Sequence, residues 1–103
     1  MPLKKIYFTL YFHTVIIVHI ELSKYERIRN LRLENNITQT EIAKYLNVKQ
    51  NTYSQYEIGI LNYPLDIIIR LAIYYQTSID YLVGLTDNKN PYPKSKDYNN
   101  IIS

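Results

Sequence analysis

Cysteine is absent from the 103 residues, which excludes disulfides and thiolate metal sites. The chain is therefore compatible with a reducing cytoplasm, where it is expected to work. Histidine is scarce: His13 and His19 are the only two, and no metal-spaced cluster is expected around them. Glycine occurs at two positions, 59 and 84, so no Gly-rich phosphate loop can be drawn, and no Ser-His-Asp set appears either. The carboxylates are scattered over helix faces and caps. Together these gaps exclude the usual enzyme constellations; no cofactor, metal or small-molecule substrate is expected. Long apolar runs are also lacking. The longest, Ile6 to Ile20, is 15 residues, short of the ~20 that span a bilayer, and it contains both histidines. Lys4 and Lys5 precede it as in a signal peptide, but no small-residue cleavage site follows.

Charge is thinly spread. Twelve Lys and Arg exceed nine Asp and Glu by three, yet the surplus is not in the centre. Between Ser23 and Asp87 seven basic residues (Lys24, Arg27, Arg29, Arg32, Lys44, Lys49, Arg70) balance seven acidic ones (Glu26, Glu34, Glu41, Glu57, Asp66, Asp80, Asp87). The excess comes from Lys4, Lys5, Lys89, Lys94 and Lys96. Net charge is thus a weak argument for nucleic acid, and any such argument must rest on pattern. The abundant Ile, Asn, Tyr and Lys all have AT-rich codons, which suggests an AT-rich bacterial, phage or mobile-element source.

What is present is helical punctuation. Residues 1–22 stand apart: Ile6–Ile20 is rich in β-branched and aromatic residues and reads as strand. It reads either as a hairpin or strand used in packing or dimerisation, or as a leader translated from an upstream start with the natural protein beginning near Leu22. From Ser23 the pattern changes. Ser23 and Glu26 form a capping box opening a helix of about 23–35, with Tyr25, Ile28 and Leu31 inward and Leu33 near the polar side, closed by Asn35-Asn36. Thr38 and Glu41 form a second capping box for a helix through Leu46, with Ile42, Ala43 and Leu46 inward. Asn47 takes the positive φ of the turn, and a helix of about 50–57 follows, closed by Gly59. Lys49 is a poor N-cap for it. Pro64 introduces a fourth helix of about 65–76 with Ile67, Ile68, Leu71, Ala72 and Tyr75 as its stripe. Ser78 caps a short fifth, 79–83, before Gly84. Residues 86–103, rich in Asn, Lys, Pro and Ser, read as a flexible tail.

The 50–57 helix carries the functional signal. With Gln50 at 0° on a helical wheel, Ser54 falls at about 40°, Asn51 at about 100° and Gln55 at about 140°. Thr52, Tyr56 and Tyr53 fall at about 200°, 240° and 300°. Amide and hydroxyl groups share one arc and bulky residues the other. A solvated face is the bland account of such an arc. The helix before it, the Asn turn, the capping box and the following Gly and Pro favour a surface that reads base edges instead. Gln and Asn make bidentate contacts to adenine, and Ser serves several bases. Lys49 stands where a phosphate or guanine would meet it. Gln39, in the first turn of the preceding helix, is placed to bond a phosphate and brace Gln50.

The stretches YERIRNLRLENNITQTEIAKYLNV, TYSQYEIG and PLDIIIRLAIYYQTSIDYLVGLTD, within residues 23–85, resemble the Cro/phage-repressor helix-turn-helix family, also called the XRE family. The resemblance implies an all-α, compact five-helix DNA-binding domain whose second and third helices form the helix-turn-helix. It implies a phosphate-binding role for Gln39 and base contacts from Gln50, Asn51 and Gln55, with Thr52 and Ser54 nearby. It departs where the family often carries basic residues after Gly59: here stand Ile60, Leu61 and Asn62, leaving Asn62 as the residual phosphate contact and shifting reliance to Lys49 and the arginines of the first helix. The implied function is a transcriptional regulator, more often a repressor, acting as a homodimer on a double-stranded operator. With no room after residue 85 for a second domain, Ile69, Ile73, Tyr81 and Leu85 are the candidate dimer face. Two other readings compete: an antitoxin-like protein-interaction module on the same fold with weak DNA binding, favoured by the neutral domain charge, and a regulator tethered to a membrane through residues 6–20.

Overall fold

A computed structural model of the chain describes residues 5–11, 15–21 and 25–102. Strands β1 (Lys5–Tyr11) and β2 (Val15–Glu21) pair antiparallel, with Lys5 opposite Glu21 and Tyr11 opposite Val15. The strand character follows from the β-branched and aromatic run. Among the described residues no helix is long and apolar enough to cross a membrane.

Five helices follow: α1 (Glu26–Glu34), α2 (Gln39–Leu46), α3 (Gln50–Ile58), α4 (Leu65–Tyr74) and α5 (Ile79–Leu82). The five expected helices are all present. α1 starts at Glu26 with Tyr25 at the N-cap position, later than the box at Ser23 would place it, and Ser23 lies outside the described residues. The box at the start of α2 is complete: Thr38 Oγ1 accepts from Glu41 N–H at 3.1 Å and Glu41 Oε2 accepts from Thr38 N–H at 3.1 Å, satisfying two of the donors a helix start leaves open. Ser78 caps α5 by accepting from Tyr81 N–H at 3.0 Å.

Three helices end the same way. Asn36, Asn47 and Gln76 sit at φ 55°, 57° and 53°. In each case the residue after them donates its N–H back into the last turn: Ile37 to Arg32 O, Val48 to Ala43 O and Thr77 to Ala72 O, each at 3.0 Å. This left-handed closure satisfies carbonyls that the helix end would orphan. Arg70 of α4 adds to it at α2, donating to Leu46 O at 2.7 Å and Tyr45 O at 2.5 Å.

The core draws on every helix from α1 to α5: Ile28, Leu31, Ile42, Ala43, Leu46, Tyr53, Tyr56, Ile67, Ile68, Leu71, Ala72 and Leu82. α2 lies against α3 and α4, α4 against α5, and α1 touches both α3 and α5. Truncating a fully buried member such as Leu46 would cost about 2–5 kcal/mol, a large part of what a domain of this size holds. Leu33 points outward, 46% exposed, as its wheel position indicates.

Residues 86–102, expected as a flexible tail, return to the domain instead. Thr77 Oγ1 donates to Lys89 O at 2.6 Å, Tyr92 donates to Asp80 Oδ2 at 2.7 Å, and Arg27 bonds Thr86 O and pairs with Asp87 at 2.5 Å. A short helix α6 (Tyr98–Ile102) follows. Composition pointed elsewhere because the segment is anchored by individual side-chain hydrogen bonds, to backbone and to other side chains, which leave no hydrophobic period to read. Together with α4 and α5 it encloses a cleft of about 680 Å³ lined by Ile69, Ile73, Tyr92, Tyr98, Ile101 and Ile102 among others.

Candidate nucleic-acid interface

α3 is split lengthwise by its own sequence. Tyr53 is fully buried and Tyr56 7% exposed, their rings edge to face at 6.4 Å between centroids. Those two aromatics wedge the helix onto the core. Lys49, Gln50 and Asn51 are exposed at its N-terminal end, while Thr52, Ser54 and Gln55 are half-buried along it. Asn62 is exposed in the loop that follows. Of the arc drawn on the wheel, Gln50 and Asn51 are open, while Ser54 and Gln55 are half-buried like Thr52 of the opposite arc.

Lys49 has extended backbone (φ −68°, ψ 145°) and makes no capping bond. The first turn of a helix carries N–H groups without intrahelical partners and a partial positive charge. At α3 that turn is flanked by a lysine and two amides, a combination suited to anionic and hydrogen-bonding partners.

Gln39 and Gln50 meet as expected. Gln50 Nε2 donates to Gln39 Oε1 at 2.8 Å, joining the first turn of α2 to the first turn of α3. Behind them lies a group that the sequence reading did not single out. Glu57, 7% exposed, accepts from Arg32 Nε at 2.7 Å and Nη2 at 3.0 Å, from Tyr53 Oη at 2.5 Å and from Gln39 Nε2 at 3.2 Å. Burial pushes its carboxyl up, but the bonds from Arg32, Tyr53 and Gln39 outweigh that and hold it below the usual carboxylate range. The same bond raises the Arg32 guanidinium above its ordinary value, against desolvation, and burial drives the Tyr53 phenol far above the usual range. The group is therefore an ionised, fully bonded pair. A faint signal for it did exist: Glu57 falls at about 340° on the α3 wheel, between Tyr53 at about 300° and Gln50 at 0°, and Arg32 falls about 40° from Ile28 on the α1 wheel. A charge on each inward face implies a buried partner.

Two of the three arginines of α1, expected to make up for the missing basic residues, are engaged inside the fold. Arg32 is committed to Glu57 and also donates to Ile37 O at 2.9 Å. Arg27 is turned to Tyr81, Thr86 and Asp87. Arg29 alone of the three is exposed. Side-chain charge was legible, but its direction depended on contacts made far along the chain. His13 lies outside the described residues, and among those described no group of three or more His, Cys, Asp or Glu is placed to hold a metal.

A helix-turn-helix family model matches residues 28–82, more than half of the chain. The chain belongs to the Cro/C1-type helix-turn-helix family. Its relatives include an uncharacterized HTH-type transcriptional regulator, YobD, of Bacillus subtilis, 31% identical over 77 residues covering 75% of this chain and 69% of that protein. The transcriptional repressor RstR of the cryptic phage CTXphi in Vibrio cholerae is 39% identical over 58 residues, 56% of this chain and 52% of RstR. A transcriptional regulator from Listeria innocua has a crystal structure similar to this chain at a TM-score of 0.57, with 31% identity, covering 72% of this chain and 63% of that one. The match thus spans about half of RstR and about two thirds of the other two. As a Cro/C1-type domain, the chain presents α2 and α3 as the helix-turn-helix, with Asn47 at the turn and Gly59, at φ 93°, closing α3.

Proposed function

We propose that this DNA-binding regulator is a dimeric repressor, acting in the cytoplasm, whose α3 reads an operator in the major groove. One subunit would occupy each half of a near-palindromic site, with half-site centres about 34 Å apart, and binding there would exclude RNA polymerase. The observation that carries the reading is the division of α3: Tyr53 and Tyr56 are buried while Gln50 and Asn51 are exposed beside the braced Gln39. In this assignment Gln50, Asn51 and Gln55 read bases, Thr52 and Ser54 assist, and Gln39, Lys49 and Asn62 meet phosphates. The dimer contact is assigned to Leu85, 78% exposed, and the neighbouring α4–α5 face. Ile69 and Ile73 of that face line the cleft under residues 91–102.

Selection from a random double-stranded DNA pool, followed by salt titration of the best binders by fluorescence anisotropy, tests this directly. An inverted repeat with affinity that falls as salt rises is expected. Gln50→Ala should weaken binding to the selected site by about 1–3 kcal/mol and leave binding to random DNA nearly intact. Equal loss on both would remove the base-reading role.

A second reading, a protein-interaction module with weak DNA binding, draws on Ile58, Ile60, Leu61 and Leu65. They are 57%, 68%, 40% and 69% exposed, close together in the chain where basic residues are common in the family. A pool that yields no enriched sequence from folded protein would favour it.

A further inference from the structure

Glu57 lies behind the DNA-facing arc, yet its chemistry reaches that arc through two side chains. A carboxylate only accepts hydrogen bonds, whereas a glutamine amide has a donating NH2 end and an accepting carbonyl end. A glutamine on an open surface can turn over and present either end. Gln39 has no such freedom. With Glu57 fixed by Arg32 and Tyr53, Gln39 must turn its NH2 toward Glu57, as it does at 3.2 Å. Its carbonyl then faces Gln50 and takes the Gln50 NH2 at 2.8 Å. Gln50 is left with one N–H and its carbonyl oxygen for an outside partner, in a fixed order.

We propose that Glu57 is a positioning residue for base recognition, which sets the polarity of the Gln50 amide through Gln39 and thereby makes the site at the start of α3 selective for adenine. The proposal rests on the assignment of Gln50 as a base reader. Adenine presents an acceptor at N7 beside a donor at N6 in the major groove; guanine presents two acceptors, and thymine an acceptor and a methyl group. An amide of fixed polarity satisfies the adenine pair and opposes an acceptor to the guanine O6 or N7. An amide free to turn over offers its NH2 to guanine or to thymine O4 at little cost, and the preference collapses. The buried ion pair thus has a consequence at a surface it never reaches. The loss of base preference would come with Gln39 and Gln50 both still present.

The test removes the polarity source without leaving a buried charge unpaired. In Arg32→Met with Glu57→Gln, the new amide at 57 accepts or donates equally well, and Gln39 is no longer told which way to turn. Operator duplexes from the selection are varied to all four bases at the pair where Gln50→Ala abolishes preference. The unsubstituted protein should favour adenine there by roughly 5- to 150-fold. The double variant should fall to within a few-fold among adenine, guanine and thymine, with affinity for random DNA unchanged. A folded double variant that keeps the full adenine preference overturns the relay alone. If Gln50→Ala alters preference at no position, the base-reading assignment fails and takes the relay with it. Should the double variant not fold, nuclear Overhauser contacts in the unsubstituted protein decide: the Gln39 NH2 protons should lie against the Glu57 methylenes, and their absence there overturns the proposal.

Discussion

Gln76 shows what a single residue tolerates in this fold. It sits at φ 53°, a region that costs a residue with a Cβ roughly 1–2 kcal/mol and that Asn36 and Asn47 enter more readily because a short polar side chain bonds locally. Nothing in its identity announces a helix end, and the apolar stripe of α4 runs on through Tyr75, so the sequence reads as helix to 76. The backbone turns instead after Tyr74, because Thr77 N–H closes on Ala72 O and Thr77 and Ser78, both buried, must start α5. Gln76→Gly should therefore stabilise the domain, by about 0.5–1 kcal/mol after the entropy that glycine restores to the unfolded chain. Urea midpoints at unchanged slope measure it; a lower midpoint would mean that the Gln76 side chain, on the wall of the cleft, contributes more than its backbone costs. Asn47, by contrast, was legible, since its residue type and its φ agree.

At the scale of elements, α2 and α3 begin in opposite ways. α2 has both bonds of its capping box, whereas α3 starts at Lys49 with extended backbone and no side-chain cap. Serine or aspartate at an N-cap is ordinarily worth about 0.5–2 kcal/mol over a residue that cannot cap, so on stability alone Lys49 is a poor choice. It becomes intelligible if position 49 faces phosphate, where the same lysine supplies a charge beside the open N–H groups of the α3 start. Lys49→Ser should then raise the urea midpoint while reducing the slope of log affinity against log salt by about 1 for each subunit. A gain in stability with an unaltered slope would leave Lys49 without a DNA role. Element boundaries in this region were legible because capping boxes, Asn and Gly mark them within a few residues. Glu57 and Arg32 went unnoticed because a capping or stripe reading tracks apolar residues, and a charge on an inward face registers only when both wheels are laid side by side.

For the whole molecule the distribution of charge matters more than its total. The net charge of +3 belongs to the flanks, and part of it is held against other side chains in the folded chain. Lys89 lies 3.6 Å from Glu34 and 5.9 Å from the Tyr81 ring centroid. Lys94 lies 4.7 Å from the Tyr98 ring centroid on the wall of the α4–α5 cleft. Within the domain, Arg27, Arg32 and Arg70 spend their donors on Asp87, Glu57 and the end of α2. Among the described residues of the domain Arg29, Lys44 and Lys49 remain exposed, so on the proposed function specificity comes from hydrogen bonds at α3 more than from the polyanion. Each phosphate neutralised contributes about 0.9 to the salt slope. Lys89→Gln with Lys94→Gln removes two of the chain's twelve basic residues, yet it should shift the slope by much less than the ~1.8 that two phosphate contacts would give. A drop of that full size would mean that residues 86–102 run along the DNA, and that the face they cover is turned toward the duplex.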